Sequence, residues 1–189
     1  MTENINAIMD RSEVMELIES PYRNGLSKFH QYQSASNDCG PFAAAMAINF
    51  LKGRRINGAE LGQKMNKIAW RNGFPTVSRI SNWATFPWGV SAQLRENGIL
   101  AKWRILQSID YLLDNLVSRY IFIVIIGELR PMWAHYKLLV AYDDQLGWGF
   151  IDPSRRNGLT YWDTQTFFKQ RWDNYGRQLV QVDFGGYQP

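Results

Sequence analysis

The sequence has one cysteine, Cys39, so no intramolecular disulfide can form. No cluster of cysteine and histidine offers the two-plus-two ligand set that structural zinc requires. Neither a metal nor another cofactor is expected. Long apolar runs are missing as well: the longest, Tyr120 to Gly127 (YIFIVIIG), falls far short of the roughly 20 residues that a helix needs to cross a bilayer, and reads as a buried strand. The start, MTENINAIMDRSEVMELIE, lacks the basic n-region and apolar h-region of a secretory signal, which points to the cytoplasm if Met1 is the natural start. Basic charge is present but not concentrated. The 21 Lys and Arg against 17 Asp and Glu give +4, yet pairs such as Arg54-Arg55 and Arg155-Arg156 are scattered rather than gathered into a stripe, so a nucleic-acid partner is not expected. The phosphate-binding pattern G-x-x-x-x-G-K, internal repeats and low-complexity tracts are also lacking.

With 46% hydrophobic, 14% aromatic and 20% charged residues, the composition is that of an ordered chain able to build a core. At 189 residues one core suffices. Residues 1–30 read as an N-terminal helical extension, with apolar Ile8, Met9, Met15 and Ile18 at mixed helical spacings from Ile5 through Ile18 until Ser20-Pro21 stops the pattern. Residues 31–189 form the main domain. Its first clear element follows Cys39-Gly40-Pro41, where FAAAMAINFLKG is strongly helix-forming, with proline inside the first turn and Gly53 past the end. Leu61 to Trp88 has no sustained period and is left unassigned. Ser91 to Asn97 reads as a short helix closed by Gly98, ILAKWRIL as a strand, and Ser108 as the cap of a helix over IDYLLDNLVSRY. From Tyr120 onward IFIVIIGEL, YKLLVAYDD, WGFIDPS and QLVQVDF are short β-branched or aromatic runs bounded by turn residues. Helices first and strands afterwards imply an α+β fold, a helical half against an antiparallel sheet.

Four residues carry the chemical expectation. Cys39 opens the Ala-rich helix, so the free N–H groups of the first turn face its sulfur and any oxyanion formed there. Gln33, six positions earlier, has an amide able to donate to the same oxyanion. His135 opens the strand HYKLLVAYDD, from whose end an imidazole can project into a cleft. Asp152, in GFIDPS at the end of the next strand, is placed to fix the tautomer of that imidazole. Each has an ordinary reading: a buried thiol, a loop amide, a half-exposed aromatic, a turn aspartate.

The string Gln33-Ser-Ala-Ser-Asn-Asp38-Cys39-Gly40-Pro41 resembles the Gln-x5-Cys-Gly-Pro signature of the bacteriocin-processing peptidases that cut double-glycine leaders. HYKLLVAYDD followed by WGFIDPS is similar to that family's histidine strand and aspartate turn, and TQTFFKQRW to its later Phe-to-Trp segment. The resemblance covers about Gln31 to Trp172 and implies a papain-like cysteine proteinase fold. It also implies a peptide or protein substrate cut through a thioester, with Cys39 as nucleophile, His135 as base, Asp152 as orienter and Gln33 in the oxyanion hole. Exporter-type members carry membrane-spanning and ATP-binding segments that are not found in this chain. Two alternatives remain at the sequence level: acyl transfer on the same fold, or a catalytically silent module that binds peptides through Trp70, Phe74, Trp83, Phe86 and Trp88.

Overall fold

The computed structural model describes residues 17–71 and 74–185. In chain order these form β1 (Leu17–Glu19), α1 (Arg23–Lys28), α2 (Cys39–Lys52), α3 (Gly58–Met65), β2 (Ile68–Arg71), β3 (Phe74–Val77), β4 (Arg79–Ile80), β5 (Ala84–Thr85) and α4 (Pro87–Glu96). The second half follows as β6 (Leu100–Arg104), α5 (Ile109–Leu116), β7 (Tyr120–Leu129), β8 (Met132–Asp143), β9 (Gly147–Ile151), β10 (Tyr161–Asp163), α6 (Gln165–Asn174) and β11 (Leu179–Asp183). The main sheet is antiparallel, in the order β10-β9-β8-β7-β11-β6, with β1 paired to the far end of β8.

Strand β7 explains the layering. Its β-branched run is buried on both faces because successive side chains alternate. Ile121, Ile123 and Ile125 join one core with Ala43 to Ile48 of α2, whereas Phe122, Val124 and Ile126 join another with Leu112 and Leu116 of α5 and Phe168 and Trp172 of α6. Helices α1 to α4 meet the expectation of a helical half, but α5 and α6 cover the opposite face, so the sheet is the middle layer. Helix α2 is buried from Cys39 to Phe50, as an apolar-all-round sequence requires. Gly53 ends it in the left-handed conformation, φ 58°, where its N–H reaches the Asn49 carbonyl.

Several sequence expectations change. The helix expected up to Ile18 lies largely on residues 1–16, outside the described residues; Leu17 and Ile18 themselves belong to strand β1. Leu17 pairs with Asp143 and Glu19 with Ala141. Tyr22 and Leu26 are buried in the same core as α2, so the chain from Leu17 onward forms one body with the rest. The unassigned stretch holds α3 and two short hairpins, β2–β3 and β4–β5. Helix α4 begins four residues earlier than expected, at Pro87, since proline suits the first turn. Ser108 does cap α5, accepting from the Tyr111 N–H, but the helix stops at Leu116. Among the described residues no helix is long and apolar enough to cross a membrane.

Candidate active site

Three elements converge at one cleft of about 480 Å³. Helix α2 brings Cys39 as its first residue, buried at 8% exposure, and β8 brings His135 opposite Ile126 of β7. The loop before α2 brings Gln33, tied down by its own N–H to the Pro153 carbonyl at 2.8 Å. Gln33, Cys39 and His135 all line the cleft, and Asp152 lies behind His135 in the turn that leaves β9. The walls are aromatic and apolar: Trp83, Phe86, Trp88, Met132, Trp133 and Tyr175. Of the aromatic residues singled out from the sequence, Trp83, Phe86 and Trp88 therefore face the cleft. Phe74 instead stands 73% exposed on the β2–β3 hairpin. The side chain of Trp70 lies outside the described residues.

His135 Nε2–H donates to Asp152 Oδ1 at 2.7 Å, and the ring also bonds the Cys39 side chain, which leaves Nδ1 to face the sulfur. Burial works against a charged ring. The hydrogen bonds to Asp152 and Cys39, with the negative charge of both, outweigh it and push the imidazole up to about 9. Asp152 is 2% exposed. Burial alone would raise its pKa, but the His135 hydrogen bond, the charges of His135 and Lys137 and the Ser154 N–H at 2.7 Å hold the carboxyl well below the usual range. The His30 ring contacts the Asp152 backbone carbonyl at 3.1 Å, bracing the turn from the other side.

Gln33 is buried, and its amide Nε2 donates one N–H to the Ser36 carbonyl at 2.7 Å. An amide has two N–H groups, so one remains for the cleft. Its Oε1 is buried and has no hydrogen-bond partner among the described residues. Gly40 lets the opposite wall come close. A Cβ there would sit 2.8 Å from Thr85 Cγ2 and 3.3 Å from Tyr136 Cδ2. Tyr136 in turn donates to the Thr85 carbonyl at 2.7 Å, and burial, then the Cys39 charge, raises its hydroxyl well above the ordinary value.

Sequence reasoning missed Lys137 and Asp163. Lys137 is two residues from His135, hence on the same face of β8, and is 7% exposed. Its Nζ lies 2.8 Å from Asp163 Oδ2, 3.6 Å from Asp152 Oδ2 and 5.3 Å from the Phe150 ring centre. A lone lysine inside the apolar run YKLLVAY was the available signal. Missed too was the buried Arg79, whose guanidinium meets Asp38, the residue before Cys39.

No family model matches the chain, and no curated protein sequence matches it. Solved structures do. One, from Bacillus anthracis and provisionally described as a C39-like peptidase, is similar with a TM-score of 0.67 at 14% identity, over 88% of this chain and 97% of its own. Another is a double glycine motif protease from an AMS/PCAT transporter, in complex with the leader peptide. It gives a TM-score of 0.51 at 14% identity, over 82% of this chain and 88% of its own. At such identity the likeness is one of fold: mixed helices and antiparallel sheet arranged as in C39-like, papain-like peptidases.

Proposed function

We propose that the chain is a cysteine-dependent hydrolase that cleaves a peptide or amide bond through a thioester. The observation that carries this reading is the position of His135, held at Nε2 by the buried Asp152 and turned toward the Cys39 sulfur on its other side. A ring that stays protonated to about 9 is suited to hold a thiolate beside it, and a thiolate is the form that attacks carbonyls.

In this mechanism the Cys39 thiolate adds to the carbonyl carbon. The oxyanion is held by the Cys39 backbone N–H and the free amide N–H of Gln33. His135 gives its Nδ1 proton to the leaving amine as the C–N bond breaks, leaving an acyl thioester and a neutral ring. That ring then takes a proton from water, whose oxygen attacks the thioester, and collapse returns the thiolate and releases the carboxylic acid. Asp152 stays ionised throughout and fixes the ring. Residues 31–189 carry this chemistry, with residues 17–30 as a strap bound to the sheet. A cleft with aromatic walls fits a peptide segment, in line with the leader peptide bound by the double glycine motif protease.

The test is Cys39→Ala, assayed on a digest of mixed peptides by mass spectrometry of new termini. The variant should keep the wild-type circular dichroism spectrum and produce none of the new termini that the wild type makes. Equal cleavage by both proteins would show that the thiol is not the nucleophile. Hydroxylamine added to the wild type should divert product to hydroxamate, since an amine nucleophile captures a thioester.

A further inference from the structure

Asp38 directly precedes Cys39 and occupies the N-cap of α2, where an aspartate ordinarily accepts from the N–H groups of the first turn. Here its side chain makes no such bond. The third helical residue, Pro41, has no N–H to give, which leaves Gly40 as the usual donor to a cap. The carboxylate turns instead to Arg79, a residue only 4% exposed. The same guanidinium donates to the Gly62 carbonyl at 3.3 Å and to Asn66 Oδ1, so it is fastened to α3 and its C-terminal turn. Arg79 also begins the β4–β5 hairpin, which ends at the cleft-lining Ala84 and Thr85. A second tie, Asn37 Nδ2 to the Asn82 carbonyl at 2.9 Å, joins the same loop to the same hairpin.

The first-turn N–H groups at Cys39 and Gly40 point toward the place where negative charge develops in the proposed reaction. An unpaired carboxylate one residue away would compete for them and repel both thiolate and oxyanion. We propose that Arg79 is a positioning residue for the nucleophile: by binding Asp38 it holds that carboxylate off the first turn of α2, neutralises it, and sets the β4–β5 wall against the cleft. The proposal rests on the cysteine-hydrolase reading and adds a residue that never touches substrate.

The arrangement predicts a rescue that simple loosening does not. In Arg79→Gln, alkylation of Cys39 by iodoacetamide at about pH 6.5 should slow about tenfold, the effect of one like charge brought beside the thiolate. In the double variant D38N/R79Q the rate should return to within about threefold of wild type, because the offending charge is gone. Circular dichroism reports whether each variant folds. If the double variant is no faster than R79Q, or if R79Q matches wild type, the clamp is overturned. Should R79Q fail to fold, Asp38→Asn alone decides: alkylation at least as fast as wild type supports the proposal, and slower alkylation sinks it. A wild-type protein no more reactive than a free thiol would overturn the hydrolase reading and the clamp together. Fast wild type with equally fast R79Q removes the clamp alone.

Discussion

Replacing Asp152 by Asn tests the electrostatics of the site directly. Three influences set the His135 titration: burial lowers it, while Asp152 and Cys39 raise it to about 9 from the ordinary 6.5. The rise is worth on the order of 3 kcal/mol, shared between the two partners. The amide keeps the shape and the burial but not the charge. The ring should then titrate near or below its ordinary value, with only Cys39 opposing desolvation. At about pH 7.5 the protonated fraction would fall from nearly all to about a tenth or less. Peptide cleavage should drop at least about tenfold from charge alone, and by as much as about 10³–10⁴ if the amide also selects the wrong tautomer. The assay is a ring-nitrogen NMR titration, simple in a chain with two histidines. Because folding raises the imidazole pKa, the stability it gives is full below about pH 6.5 and is lost as pH climbs through about 9. Wild-type stability should therefore decline across that window while Asp152→Asn stays nearly flat. An unchanged His135 titration in the variant would mean that Asp152 does not set the charge of the ring.

Two further outcomes follow from the same geometry. Lys137→Met removes a cation that competes with His135 for Asp152 and leaves Asp163 unpaired, so the His135 titration should move up. Urea unfolding should show a loss of about 1–3 kcal/mol, since the carboxylate left without its partner is only partly buried; a titration that does not move would make Lys137 purely structural. Gln33→Ala should lower kcat about 10²–10³-fold at nearly constant KM, as loss of an oxyanion donor does, and a change confined to KM would assign the amide to substrate binding instead.

What the sequence disclosed depended on whether the physics was local. The Ala-rich α2 announced itself through composition, Pro41 and Gly53, and β7 through its β-branched run, because both signals lie within a few residues. The start of helix α4 is hidden because Phe86-Pro87-Trp88 looks like a loop, although proline in a first turn marks a helix start. The paired hairpins between Ile68 and Thr85 carry no period: strands of two to four residues are too short for alternation to show. Leu17 and Ile18 looked helical, yet they are strand because β8 is long enough to offer them an edge. At the site, Gln33, Cys39, His135 and Asp152 stood out by residue type and order, and the structure gathers them around one cleft. The supporting charges did not stand out, since the pairings of Arg79 with Asp38 and of Lys137 with Asp163 join residues far apart in the chain.

The most direct test of the Cys39–His135 pair is the rate of iodoacetamide alkylation of Cys39 as a function of pH, in wild type and in His135→Ala. A working pair gives rapid alkylation of the wild type at about pH 6, where an unactivated thiol hardly reacts, and loss of that acidic reactivity when the imidazole is removed. Alkylation confined to the ordinary thiol range above about pH 8 in both proteins, or a sulfur that never reacts, would contradict it.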